Sequence, residues 1–126
     1  MARILVVDDD PDVVDAIRLV LEQARHTVSA AYDREQGLAA LTTRTFDLVI
    51  LDVMMEQPDD GIAMAQQLRR KGLTTPILML TSIGRVTGFA YGRDTDLVPV
   101  EAFLEKPVRP ATLTATVDEL LGVGKG

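Results

Sequence analysis

Cysteine is absent from this chain, so disulfides, thiol chemistry and cysteine-ligated zinc or iron–sulfur centres are excluded. Histidine occurs once, at His26, at the start of a strand-like run and far from the acidic residues. It reads as a structural or exposed residue, and a single histidine offers no phosphoryl-donor motif. Long hydrophobic runs are also missing: no apolar stretch approaches the ~18 residues that span a bilayer. Met1-Ala2-Arg3 leads directly into a strand-like run with no targeting segment, and the chain reads as cytoplasmic. Positive charge is the minority, 13 Lys and Arg against 19 Asp and Glu for a net charge of −6. That balance argues against a nucleic-acid binder held by phosphate contacts, which carries a basic patch. The one basic trio, Arg69-Arg70-Lys71, reads as a favourable helix C-terminus.

What is present suits one packed domain. The 126 residues are enough to bury roughly two-thirds of the surface exposed by the unfolded chain, and no second domain has room. Hydrophobic residues at 47% and charged residues at 25% are those of an ordinary soluble globular protein. There is neither an internal repeat nor a low-complexity linker.

Phe46-Asp47-Leu48-Val49-Ile50-Leu51-Asp52 is the most informative stretch. Its four consecutive apolar residues are too short for a helix and read as a strand buried on both faces, as in a parallel sheet. Asp52 then stands at the strand's carboxyl end, the edge where open α/β sheets bind ligands. Arg3 to Val7 is a similar run ending in Asp8-Asp9-Asp10. Pro11 opens a helix of about fifteen residues, with Asp10 as N-cap and Val13, Ile17, Val20, Leu21 and Ala24 at helical spacing.

The pattern repeats. His26 to Ala31 reads as the second strand, and Asp33 caps a helix whose apolar face holds Leu38 and Leu41. After Asp52, Met54 to Asp60 reads as a loop rich in turn formers. A helix follows with Ile62, Ala65 and Leu68 inward, stopped by Gly72. Pro76 to Leu80 is the fourth strand, ending in Thr81-Ser82. Ile83 to Pro99 carries Gly84, Gly88 and Gly92 and supports at most a short, irregular fourth helix. Val100 to Leu104 is the fifth strand, Lys106-Pro107 a turn, and Leu113, Val117, Leu120 and Leu121 mark the last helix. Five strands alternating with helices predict an α/β fold, a doubly wound five-stranded parallel sheet.

Parallel strands place their carboxyl ends along one edge, which gathers Asp8, Asp9, Asp52, Thr81 and Lys106. Three carboxylates brought together repel unless a cation joins them. A hard divalent ion with oxygen ligands answers this, and Mg2+ suits a site that keeps waters and meets a phosphate. The charges then balance: −3 from the three aspartates against +3 from Mg2+ and Lys106. A phosphoryl group on Asp52 would raise that position to about −2, and the hydroxyl of Thr81 is a donor for it.

These residues resemble the response-regulator receiver domain of two-component signalling, in its stand-alone, chemotaxis-receiver-like form. The likeness rests on an acidic pair after the first strand (Asp8-Asp9), a carboxylate after the third (Asp52), a hydroxyl after the fourth (Thr81) and Lys-Pro after the fifth (Lys106-Pro107). It covers about residues 3 to 121.

The resemblance implies a flavodoxin-like sheet of strand order 2-1-3-4-5, a receiver domain over residues 1–122 and a flexible tail over 123–126. It implies Mg2+ held by Asp9 directly, Asp8 partly through water, Asp52, and the backbone carbonyl of Met54. Asp52 would be nucleophile and phospho-acceptor, Lys106 would pair with the phosphoryl oxygens, and Thr81 and Phe103 would switch inward together. The donor would be a histidine kinase or phosphotransfer protein. Output would pass to another protein, or by return of the phosphoryl group along a relay, without direct DNA or membrane binding, from a monomer or a weak phosphorylation-dependent dimer. Such a chain is a switch that assists its own phosphotransfer and dephosphorylation rather than an enzyme with an external substrate.

Three features depart from the family pattern. Asp52 to Gly61 spans nine positions, about one more than usual, with Glu56-Gln57 where a proline is common. Thr81 to Lys106 spans 25 positions, a few more than usual, and the glycine-punctuated stretch replaces an Ala-rich helix. Phe103 lacks the hydroxyl of the tyrosine often found there. Two competing readings are weaker. A phosphohydrolase of the haloacid dehalogenase type needs a second Asp two positions after the nucleophile, where this chain has Met54. A receiver-shaped binding module that is no longer phosphorylated would not need the full acceptor set.

Overall fold

The computed structural model describes residues 2–52, 60–82, 100–106 and 108–122, with the side chains of all but Asp60, Ser82 and Lys106. Five strands run through it: β1 (Arg3–Val7), β2 (Thr27–Ala31), β3 (Leu48–Asp52), β4 (Ile77–Ser82) and β5 (Ala102–Lys106). Four helices stand among the described residues: α1 (Pro11–Gln23), α2 (Arg34–Thr43), α3 (Asp60–Arg70) and α4 (Pro110–Leu121). All strand pairs are parallel, in the order β2-β1-β3-β4-β5. The expected doubly wound α/β sheet is therefore the observed one. The expected irregular helix over 83–99 and the tail over 123–126 lie outside the described residues.

The alternation of side chains along a strand divides the core in two. Leu5, Val7, Val49, Leu51, Ile77 and Met79 face α2 and α3, where Met64, Ala65 and Leu68 cover them. Ile4, Val6, Leu48, Ile50, Leu78 and Leu80 face α1 and α4, under Val14, Ile17, Leu21, Leu113 and Val117. β3 is the centre of the sheet and all five of its residues are buried, which is why it reads as a continuous apolar run.

The helix signals are realised as hydrogen bonds. Asp10 caps α1 by accepting from the Asp12 amide at 2.9 Å, and Asp33 caps α2 by accepting from the Gln36 amide at 2.7 Å. Gly72 has φ 91°, the left-handed conformation that lets α3 turn off at low cost.

Several boundaries and faces differ from expectation. β2 begins at Thr27 rather than His26, because the His26 amide is drawn back onto the Leu21 carbonyl at 3.0 Å. The His26 ring is buried, and its Nδ1 accepts from the Ala2 amide at 3.1 Å, a structural role. Ala24, expected inward, is the exposed C-cap of α1, and Val14 is fully buried together with Leu21. On α2 the buried position is Gly37, while Leu38 and Leu41 are half-buried. A Cβ at Gly37 would lie 2.8 Å from Met64 Cε and 3.0 Å from Val7 Cγ2, so α2 packs through a close approach rather than through an apolar stripe. β4 and β5 each run two residues past the expected ends, to Ser82 and Lys106, and carry the polar residues as strand residues. No helix among the described residues is long and apolar enough to cross a membrane.

Candidate functional site

The register builds the site. β1 and β3 pair with Val7 opposite Leu51, so Asp8 and Asp52 come next, level with each other. Both continue the even-numbered positions that face α1 and α4, which gives their side chains a common side. The consequence is measurable: carboxylate oxygens of Asp8, Asp9 and Asp52 all lie within 4.8 Å of one another. Asp8 is wholly buried and Asp52 5% exposed, while Asp9 is open to solvent.

Asp8 is held firmly. Its amide donates to the Ala31 carbonyl at 3.1 Å, an extension of the β1–β2 ladder. Its Oδ1 accepts from the Asp10 amide at 2.9 Å, a side-chain turn of the kind aspartate forms two residues on. Asp10 thus does more than the capping expected of it. Its side chain starts α1 and its backbone orients Asp8. The signal for this in the sequence was the Asp-x-Asp spacing itself.

β4 pairs with β3 so that Leu80 is opposite Asp52, which sets Thr81 one step beyond the carboxylate. Thr81 is 5% exposed and its Oγ1 is buried without a hydrogen-bond partner among the described residues. A buried hydroxyl lacking a partner is unfavourable, and such groups concentrate where a ligand is expected. β5 pairs with β4 with Ser82 opposite Lys106 and Met79 opposite Phe103. The Lys106 backbone therefore stands at the same edge, and Phe103 packs, partly buried, against the core between the sheet and α2–α3. The Lys106 side chain, Met54 and Pro107 lie outside the described residues.

Sequence reasoning missed Arg69. Taken for a general helix-end charge, it donates from Nη1 to the Leu73 and Thr75 carbonyls at 2.9 Å each, and from Nη2 to Glu101 Oε1 at 2.6 Å. Glu101 Oε1 also accepts from the Ile77 amide at 2.8 Å. The pair ties the end of α3 to the entries of β4 and β5 and so supports the register that brings Lys106 to the edge. No pattern in the sequence pairs position 69 with position 101.

Comparisons with known proteins agree with this geometry. Residues 4–118 match the family described as the response regulator receiver domain. The DNA-binding dual master transcriptional regulator RpaA of Synechocystis is 36% identical over 123 residues, covering 96% of this chain and 49% of that protein. The alkaline phosphatase synthesis transcriptional regulatory protein PhoP of Bacillus subtilis is likewise 36% identical, over 94% of this chain and 48% of its own length. This chain spans about half the length of the curated relatives it matches. Among solved structures, Vibrio cholerae chemotaxis protein CheY4 is similar with a TM-score of 0.83 at 30% identity, over 95% of this chain and 98% of that one. The parallel 2-1-3-4-5 sheet, the acidic cluster at its carboxyl edge and the family match over 4–118 lead to one conclusion: the chain belongs to the response regulator receiver domain family of two-component systems, whose members are signalling switches.

Proposed function

We propose that this chain is a phosphorylation switch in which Asp52 accepts a phosphoryl group from a histidine kinase or a histidine phosphotransfer protein. The observation that carries this is the convergence of Asp8, Asp9 and Asp52 within 4.8 Å, on the same sheet edge as a buried Thr81 hydroxyl that has no partner among the described residues. The donor set is all hard oxygen, which fits Mg2+. Asp8, Asp9 and Asp52 would hold it, with the Met54 carbonyl as a further ligand. When bound, the ion neutralises carboxylate repulsion and draws charge from the phosphoryl oxygens.

The rest of the chemistry belongs to the chain. An Asp52 carboxylate oxygen attacks phosphorus, the bond from phosphorus to the donor's imidazole nitrogen breaks, and the electron pair leaves with that nitrogen. The product is an acyl phosphate on Asp52. Lys106 supplies a positive charge to the transferred oxygens and Thr81 a hydrogen bond, so stabilisation is electrostatic. Thr81 gains its missing partner in the phosphorylated state only, and that difference favours the switched form. Phe103 would follow it through packing, having no hydroxyl of its own. Residues 1–122 would form the domain, acting in the cytoplasm as a monomer or weak phosphorylation-dependent dimer. It would assist its own dephosphorylation and pass output to a partner protein without itself touching DNA.

The test is intact mass after incubation with acetyl phosphate and Mg2+. Wild type gains one phosphoryl group, chelator prevents it, and Asp52→Asn gains none. An unmodified wild type, or an equal adduct on Asp52→Asn, overturns the reading.

A further inference from the structure

At the amino edge of the sheet, opposite the acidic site, a second concavity is lined by Arg3, Thr27, Ser29, Arg44, Thr45 and Phe46, with a volume of about 180 Å3. The fold assembles it. Arg3 pairs with Thr27 and Leu5 with Ser29 across β1 and β2, so Arg3, Thr27 and Ser29 share the sheet face under α2. Arg44, the C-cap of α2, reaches back over the same place. Its guanidinium carbon lies 5.5 Å from the centroid of the Phe46 ring, which holds it as a cation over a π face. Its Nη1 donates to Ser29 Oγ at a long 3.4 Å.

Charge makes the place unusual. On a chain of net charge −6, neither the Arg3 nor the Arg44 guanidinium has a carboxylate within 4.0 Å among the described residues. The nearest candidate in sequence, Asp47, uses Oδ2 on the Arg3 amide at 2.8 Å while its own amide donates to the Arg3 carbonyl at 2.7 Å. Two guanidiniums against this one carboxylate leave a net charge of +1. Around them stand the Thr27 and Thr45 hydroxyls, which engage no other side chain among the described residues. The volume is below that of a drug-sized ligand site. It suits a compact anion with several acceptor oxygens and little carbon, and guanidinium forks match tetrahedral oxyanions.

We propose that this pocket is a binding site for a phosphate group, either inorganic phosphate or the head of a small phosphate monoester, independent of the Asp52 chemistry. Arg3 and Arg44 supply charge and paired N–H donors, Ser29, Thr27 and Thr45 supply hydroxyls, and Phe46 forms the floor.

The test is a titration of the full chain, in chelator and at constant ionic strength set with sodium chloride. Inorganic phosphate is one probe and glycerol 3-phosphate the other, and backbone amide chemical shifts are followed by NMR. Saturable shifts concentrated at Arg3, Thr27, Ser29 and Thr45 are expected. Tighter binding of glycerol 3-phosphate assigns the site to esters, and equal or tighter binding of inorganic phosphate to the free ion. Arg44→Gln weakens binding by roughly tenfold, the worth of a lost charge-assisted hydrogen bond. If that variant loses its fold with the ring contact, Arg3→Gln carries the same expectation, since the Arg3 side chain has no partner to lose among the described residues. Shifts that fail to saturate, that centre on Asp8, Asp9 and Asp52, or that survive both substitutions overturn the proposal.

Discussion

The two edges of the sheet are built in opposite ways. At the carboxyl edge, like charges are forced together: Asp8, Asp9 and Asp52 crowd within 4.8 Å and two of the three are buried. At the amino edge, outside the pocket of Arg3 and Arg44, the polar groups are satisfied within the chain. Arg69 and Glu101 close one side, Asp47 bonds the entry of β1, and His26 accepts from Ala2. The first edge gathers like charge where a ligand can meet it, and the second anchors the strands that carry it. This difference is the usual cost of a functional site, where local optimality yields to chemistry.

The largest way to break the contrast is to remove what both edges share. Leu51 is fully buried in the central strand, and Leu51→Ala should lower stability by about 3 kcal/mol through lost burial and a residual cavity. Urea denaturation would show it, with both edges failing together. Adding Mg2+ should act on the carboxyl edge alone. At a hundredfold excess over its dissociation constant it should raise stability by about 2.7 kcal/mol, an effect that chelator reverses. A melting temperature indifferent to Mg2+ would remove the metal from the site.

In chelator, Asp52→Asn should be more stable than wild type by about 1–2 kcal/mol, because one of three mutually repelling charges is gone. It should also lose most of the Mg2+ response. The smallest effect is expected at the amino edge. Arg69→Ala should cost about 1 kcal/mol, since the Glu101 side chain is 43% exposed and the ion pair is partly screened, with the lost carbonyl contacts providing much of it. Its Mg2+-induced gain should match that of wild type. A changed metal response there would mean that the two edges are coupled through the register of β4 and β5.

Legibility in the sequence followed the same division. Strand cores were readable because fully buried parallel strands leave short, unbroken apolar runs, and strand ends because each run stops at a polar residue. Asp10, Asp33 and Gly72 were readable as helix ends because capping is local. Gly37 and Met64 were not, because their contact depends on how closely α2 approaches β1 and α3, and α2 has almost no apolar stripe to reveal its buried face. Arg69 looked like a helix-end charge because its partner stands 32 residues away. The basic pocket was equally hidden, since Arg3, Ser29 and Arg44 share no motif.

Local patterns by themselves determined the order of strands and helices, the parallel class of the sheet and the identity of the residues at its carboxyl edge. Those properties depend on residue types within a few positions of one another. The tertiary structure decided that Asp8 and Asp52 are buried while Asp9 is not, that the Thr81 hydroxyl has no partner among the described residues, and that two arginines share a pocket at the far edge. Burial, missing partners and convergent charge are relations between distant segments, and they exist only once the register is set and the helices are packed.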